Sequence, residues 1–598
     1  MLLLLVVAIA LVHLAVRALF ARCGETRGAL AWATTLAVLA VLPELLGRPF
    51  ESIAVGLAAT ALVCAAPAAW WWHDARPNLA WPQALPHFAA GRNAERVAAA
   101  ALVLLGTWVA LGTFLWDEGT THFGLAASMA RGVLPPEHPL FPGEPFAYHY
   151  GYDVLVALLV RATPLPLAWC CDVVTVACLL VLAAALAEAG RALAGAHGAW
   201  LAVVAVPLGY GPAAALLADG WGTALPGVSL LPGAWVSAQK LPPPVISSFF
   251  QHPQGLGMPV ALAALLLAAA PAADERSARV RWLGASALLA LLAPVQTVFF
   301  LLTGLALGVM VAVLAWRDRR ARALWRLLPL AVGAAAGVAL APLLRSAGGD
   351  ALVAGGYFGD ALAPRALRHL LLFGGSLLAA PLALTRLRAD AGSLRAGLIA
   401  AAVAGFLVAN MVSYGRSWDV VKFFAVGSFF GNLLLADLLA SAFDRRAPWR
   451  ALALTALVLS TWSGAFWLLR HGPLNGVVAA RYTERGPDAI GVALAGAFGD
   501  VMPARARVLT SHTDVHQAGL LVEGADWRRG GEGYRLDRQA QDHARALAER
   551  ALRSRRRDDL LATGADFLLV RGAPAADAPV TRLGDVAGFT LYRIERGR

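Results

Sequence analysis

Apolar runs of roughly twenty residues recur along the first 470 residues of the chain, separated by short turns. A helix needs about 20 apolar residues to cross the hydrocarbon core of a bilayer. Only helices and closed barrels cross it with every backbone polar group satisfied. The runs lie at 1–20, 29–46, 52–72, 97–116, 152–166, 167–188, 198–217, 255–272, 281–295, 296–316, 325–344, 366–385, 396–414, 423–443 and 450–469. They predict an all-α polytopic membrane protein with roughly 14–16 transmembrane helices. Only 15% of the 598 residues are charged, against roughly a quarter in ordinary soluble domains. Abundant Ala, Leu, Val and Gly suit closely packed membrane helices with small residues at their interfaces. The first twenty residues lack a basic leading segment and a small-residue cleavage site, so they read as a retained span rather than a signal peptide.

A net charge of +12 would suit a nucleic-acid partner, but its placement argues against one. The arginines fall in short turns between spans: Arg276 and Arg279, Arg317 to Arg320, Arg386 and Arg388, Arg445 and Arg446. Positive residues there set orientation and mark the cytoplasmic side. Arg22, Arg27 and the stretch 73–96 with Arg76, Arg92 and Arg96 then also face the cytoplasm. The N-terminus, the loop 117–151 and everything after about residue 470 face outward. Between 188 and 254 this parity needs an additional pass, for which the Gly/Pro-broken stretch 209–238 is the candidate. The chain is expected in a bacterial cytoplasmic (inner) membrane, with its last segment external, or periplasmic.

The sequence divides into leading helices (1–116), a membrane core with a large external loop (117–470) and a small C-terminal α/β domain (471–598). In that domain 487–499 and 535–563 read as helices, and 507–510, 520–523, 566–570 and 589–594 as strands. Cys23, Cys64, Cys170, Cys171 and Cys178 lie in or beside spans, as apolar packing residues would, and none falls in the external domain, which argues against a disulfide framework. No Walker-type loop, dinucleotide fingerprint or HExxH motif is present.

Four constellations could carry chemistry. Asp117 and Glu118 follow a span directly, where charge is costly and usually kept for function. A carboxylate beside apolar surroundings suits a general base, and His122, four residues after Glu118 on an expected interfacial helix 121–132, could share its face. The alternative is a boundary pair that holds an arginine for structure. A proline-fixed loop, Pro135 to Pro139, leads to Tyr148, His149, Tyr150 and Asp153. An aromatic belt explains tyrosines at an interface, but a histidine and an aspartate among them suit a sugar or headgroup platform. Gln251 and His252, with Gln254, offer directional hydrogen bonds before the next span, or cap it. Arg416, Asp419 and Lys422 sit in an external turn. Cations are disfavoured there unless they bind something, such as an anionic lipid phosphate, or pair with Asp419 or Asp117.

A span ending in an acidic pair, an interfacial helix and many further spans resemble the GT-C superfamily of multi-span glycosyltransferases. More closely, the chain resembles an uncharacterised GT-C-like family named for its Tyr-Tyr-Tyr motif. The similar stretches are Pro135-Pro-Glu-His-Pro-Leu140, Gly143, Tyr148-His-Tyr150, Ser248-Phe-Phe-Gln-His252 and Arg416-Ser-Trp-Asp-Val-Val-Lys422-Phe423. His149 replaces the middle tyrosine, Gln251-His252 an Asp-x-His pair, and Trp418-Asp419 an Asn-Thr pair. The resemblance implies transfer of a sugar from a polyprenyl-phosphate donor to a glycan, lipid or protein acceptor. Asp117 or Glu118 would be the base. Arg416 and Lys422 would hold phosphate, and His122, Tyr148, His149, Tyr150, Asp153, Gln251, His252 and Asp419 would line the substrate site. No cofactor is required; a divalent metal is compatible with the carboxylates but not implied. The competing readings are a transporter or flippase of an anionic lipid and a non-catalytic envelope scaffold. No internal repeat of the kind common in transporters is visible.

Overall fold

The computed structural model describes residues 1–75, 93–112, 122–139, 141–146, 148–211, 245–250, 252–318, 321–341, 352–354, 362–388, 391–414, 420–472, 501–510, 521–523, 538–574, 576–586 and 588–596. It is a polytopic helical membrane protein with a small C-terminal sheet domain. The four leading helices are α1 (Leu2–Arg22), α2 (Gly28–Gly47), α3 (Ile53–Ala75) and α4 (Asn93–Gly112). Two short helices follow, α5 (Phe123–Ala130) and α6 (Gly151–Ala162), and then the 42-residue α7 (Leu167–Leu208).

The long helix is two arms. Ala194 (φ −147°, ψ 28°) and Gly195 (φ 65°, ψ −147°) leave helical geometry. A Cβ on Gly190 would lie 2.0 Å from the Gly198 carbonyl oxygen, and one on Gly198 would lie 2.2 Å from the Gly190 oxygen. In a straight helix, residues eight apart are separated by about 12 Å. The chain therefore doubles back at Gly195, whose positive φ suits glycine, with its arms in backbone contact where only small residues fit.

The rest of the core comprises α8 (Val245–Phe249), α9 (Pro253–Ala269), α10 (Glu275–Val295), α11 (Thr297–Asp318), α12 (Leu327–Leu340), α13 (Leu362–Ala383), α14 (Gly392–Met411), α15 (Val421–Phe443) and α16 (Ala447–His471). Eleven helices among the described residues are long and apolar enough to span. The second arm of α7 and the apolar helices at 253–269 and 324–340 are shorter apolar segments. The eleven full-length spans are fewer than the 14–16 expected from the sequence, a total reached only when these three shorter segments are added.

One expected span is corrected. The run 152–166 forms α6, twelve residues and thus about 18 Å long, too short for a core of about 30 Å. Gly151, at its start, packs on Val295 and Ala40. Arg161, near its end, lies beside Glu51 and Met502. Helix α6 thus returns to the face from which α7 departs. The parity problem between 188 and 254 disappears with it. The first arm of α7 crosses away, the second returns, and α9 crosses away again, so no additional pass through 209–238 is needed; residues 212–244 lie outside the described set.

The arginine-bearing turns share one face, laced together by hydrogen bonds. Arg281 Nε donates to Cys23 O at 2.9 Å, Arg27 Nη2 to Leu266 O at 3.2 Å, and Arg395 Nη2 to Leu193 O at 2.6 Å. Arg395 also grips Asp437 at 2.8 Å, and His197 meets Asp444 at 2.9 Å. All five cysteines are buried and remain thiols.

The opposite face carries the irregular loops. Strands β1 (Glu137–His138) and β2 (Phe141–Pro145) pair antiparallel, and β3 (Leu352–Ala354) pairs with β4 (Val412–Tyr414). The C-terminal sheet comprises β5 (Arg507–Leu509), β6 (Leu521–Glu523), β7 (Phe567–Val570), β8 (Val580–Val586) and β9 (Phe589–Ile594), in the order β6-β5-β7-β9-β8. Strand β5 runs parallel to β6 and β7, and β9 antiparallel to β7 and β8. The expected helix 535–563 is two, α17 (Arg538–Ser554) and α18 (Arg557–Ala562), broken where Arg555 takes φ +52°. Strand β8, half exposed at the sheet edge, carries Arg582, Gly584 and Asp585 and shows no apolar alternation, so its sequence does not announce it. The expected helix 487–499 lies outside the described residues. Arg505 fastens this domain to the core through ion pairs with Glu137 and, at 3.4 Å, Glu51, and a 2.8 Å bond to Leu134 O.

Candidate functional site

The site grows from the starts of two neighbouring helices. His122 caps α5 and Asp153 sits in the first turn of α6. His122 Nδ1 lies 2.9 and 3.1 Å from the two Asp153 carboxylate oxygens, and both residues are buried. A buried carboxylate must be hydrogen-bonded. The imidazole supplies one bond, and the N-terminal end of α6 contributes favourable dipole. With Asp153 ionised, Nδ1 carries the proton and donates it. Helix α5 is shorter than the interfacial helix expected over 121–132, and all eight of its residues are buried.

His252 joins from α9. It holds φ +41°, an uncommon value for a residue with a Cβ, immediately before Pro253. Strain of this kind concentrates at functional sites. Its ring lies 5.8 Å from that of His122, edge to face, and stacks on Tyr152 at 4.8 Å. Tyr152 is fixed in turn, its hydroxyl 2.8 Å from both Cys171 O and Thr175 Oγ1.

Tyr148 and His149 extend this cluster. Their rings lie 3.6 Å apart. Lys422 Nζ sits 4.6 Å from the centroid of the Tyr148 ring and hydrogen-bonds its hydroxyl. His149 is buried, and neither ring nitrogen meets a hydrogen-bond partner among the described residues. Burial, and secondarily the charge of His122, push its pKa well below the usual imidazole range, so it is neutral at pH 7.

Tyr150 points elsewhere. Its hydroxyl donates to Glu44 Oε2 at 3.2 Å and accepts from Arg48 Nη2 at 3.0 Å, while Arg48 Nε holds Glu44 at 2.6 Å. Burial, and then the Glu44 charge, raise its phenol pKa. This triad anchors the loop to α2.

Of the residues singled out in the sequence, His122, Asp153 and His252 are brought together, with Tyr148, His149 and Lys422 beside them. Tyr150 serves a separate contact. Asp117, Glu118, Gln251, Arg416 and Asp419 lie outside the described residues. Sequence reasoning counted Tyr152 in the aromatic cluster but not among the site residues, since its stacking partner, His252, is a hundred residues away. It also missed Glu44 and Arg48; a carboxylate inside the apolar run 29–46 was the available signal. Among the described residues no group of three metal-ligating side chains forms a metal site.

No protein-family model matches the chain, and no curated protein does. Among solved structures, the crystal structure of ArnT from Cupriavidus metallidurans in the apo state is similar over 83% of this chain and 97% of that one, at a TM-score of 0.44 and 12% sequence identity.

Proposed function

We propose that the chain is an integral membrane glycosyltransferase of GT-C type. It would move a sugar from a polyprenyl-phosphate donor to an envelope acceptor at the face opposite the arginine-rich turns. That face would be the periplasmic side of a bacterial inner membrane, with the C-terminal domain on the same side.

The observation that carries this reading is the buried cluster of neutral imidazole, tyrosine, carboxylate and lysine, and what is tethered to it. Glu118 and Asp117 precede His122 by four and five residues. At about 3.5 Å per residue, the chain keeps both within roughly 14–18 Å of the His122–Asp153 pair. Asp419 and Arg416 precede Lys422 by three and six residues, and Gln251 adjoins His252. The chain thus tethers an acid pair, hydrogen-bonding groups for a sugar and cations for a phosphate near this cluster, which supports the reading. The GT-C motif resemblance supplies the reaction.

The donor's phosphate binds Lys422 and Arg416. His149, whose ring nitrogens have no partner among the described residues, hydrogen-bonds the sugar with Tyr148 and His252. Asp117 or Glu118 takes the proton of the acceptor hydroxyl. The acceptor oxygen then bonds to the anomeric carbon as the bond from that carbon to the phosphate oxygen breaks, inverting the centre. Polyprenyl phosphate leaves with the electron pair, stabilised by the two cations. His122, fixed by Asp153, orients His252 and the groups around it.

The test is sugar release and transfer from radiolabelled polyprenyl-phosphate sugars by the full-length protein in lipid nanodiscs. Asp117→Asn or Glu118→Gln should lower transfer by about 10²–10⁴-fold while donor binding is retained. If wild type releases no sugar, or both variants match it, the glycosyltransferase reading fails and transport of an anionic lipid takes its place.

A further inference from the structure

Helices α5 and α6 begin together at His122 and Asp153 and also end together. Arg131 follows the last residue of α5, and Arg161 precedes the last residue of α6. Nine and eight residues separate the two ends, or about 12–14 Å along either helix. Both arginines line one cleft of about 280 Å³, closed by the first turn of α3 at Ser52 and Ala54 and by Met502 and Ala504 of the C-terminal segment. Among the described residues neither guanidinium has a carboxylate partner. Arg131 donates to the Met502 and Pro503 carbonyls at 2.7 and 3.4 Å, and Arg161 makes no hydrogen bond or ion pair among the described residues. The one carboxylate in the lining, Glu51, is held by Arg505 at 3.4 Å.

Two uncompensated arginines in one cleft need an explanation on a face where positive residues are disfavoured. The start of α3, where Ser52 Oγ takes the Val55 amide at 3.4 Å, adds positive potential from the same direction. Guanidinium pairs recognise phosphate and carboxylate by bidentate hydrogen bonds. The volume of about 280 Å³ lies just below the usual range of ligand pockets, roughly 300–1,000 Å³, which suits a head group rather than a whole glycan.

We propose that this seam between the membrane core and the C-terminal domain is an oxyanion site, taking the phosphate or carboxylate of the acceptor and holding it one short helix away from the His122–Asp153 pair. Its assignment to the acceptor rests on the glycosyltransferase reading; its affinity for an oxyanion does not. The C-terminal segment thereby acquires a task, as one wall of the site.

Inorganic phosphate is the probe, titrated onto the full-length protein in phosphatidylcholine nanodiscs and followed by ³¹P line width and melting temperature. Wild type should bind saturably. Arg161→Gln, at an exposed position without partners, should weaken binding at least tenfold without loss of fold; Arg131→Gln should do the same if it folds. Arg279→Gln, exposed on the arginine-rich face, should leave this binding unchanged. Equal binding by wild type and Arg161→Gln, absence of saturable binding, or an equal loss in Arg279→Gln would overturn the proposal. Repeating the titration in discs containing phosphatidylglycerol assigns the source. Phosphate excluded by that lipid means a lipid head group occupies the cleft, and phosphate still bound means a water-borne anion; both support the oxyanion site. Binding is read without turnover, so it can succeed where sugar transfer fails, and the reverse.

Discussion

The two faces of the membrane core bury charge in opposite ways. On the arginine-rich face, Glu25 holds Arg27, Glu95 holds Arg191 and Asp437 holds Arg395 and Arg386, with separations of 2.5 to 3.4 Å. Each pair joins turns or helices distant in sequence or fixes a tight turn. On the opposite face, Arg131 and Arg161 line a cleft whose one carboxylate, Glu51, is held by Arg505, and His149 is enclosed without a hydrogen-bond partner among the described residues. Paired charge there exists too, in the Glu44–Arg48–Tyr150 triad, but it stands apart from the His122–Asp153–His252 cluster. The difference separates two uses of polarity in a bilayer. Charges that satisfy one another hold helices in register, and groups left for an absent partner mark where a ligand goes.

The largest expected effect breaks the structural side of this comparison. Asp437 is fully buried and grips two arginines. Asp437→Ala leaves the Arg395 guanidinium buried without its counter-charge, at a cost of about 3–5 kcal/mol. The outcome to measure is the unfolding midpoint in detergent, which should collapse or leave no folded protein. A midpoint near that of wild type would mean that the arginine-rich face is not held by its ion pairs.

Much of this architecture was legible in the sequence because lipid enforces a simple code. A run of twenty apolar residues has few alternatives to a spanning helix, and arginine-bearing turns announce a common face. The code failed at 152–166, where the apolar stretch is long enough in composition but Tyr152, Asp153 and Gly151 at its start belong to a site and Thr163 to Pro166 end the helix early. It did separate 167–188 from 198–217, and the chain doubles back between those runs at Gly195, with Gly190 and Gly198 in contact. Site residues were legible as polar side chains where an interface needs none: His122, Asp153, His149, His252 and Lys422. Which tyrosine served the site was not. Tyr148, Tyr150 and Tyr152 alternate in the sequence, yet each meets a partner more than fifteen residues away, and only tertiary packing distributes them.

A smaller effect sharpens the ligand side. His149 has a depressed pKa in the folded state, so between that value and the ordinary value of about 6.5 the unfolded chain binds the extra proton. Stability from this group is therefore complete above about pH 6.5 and declines as pH falls below it, by at most about 1.4 kcal/mol per pH unit. Melting temperatures of wild type should drop between pH 7 and pH 5, and His149→Phe should flatten that slope while reducing sugar transfer. A slope unchanged in the variant would show that another group carries it.

The smallest effect divides the tyrosines. Tyr150→Phe removes a hydroxyl that donates to Glu44 and accepts from Arg48, but the two charged groups still hold each other at 2.6 Å. The loss should be about 1 kcal/mol of stability, with transfer close to wild type. Tyr148→Phe removes the hydroxyl that Lys422 bonds, and should lower transfer while changing the melting temperature little. Both effects are read on the same two assays. If Tyr150→Phe impairs transfer as much as Tyr148→Phe does, the triad on α2 belongs to the site after all, and the boundary between paired structural charge and ligand-facing polarity has to be redrawn to include Glu44 and Arg48.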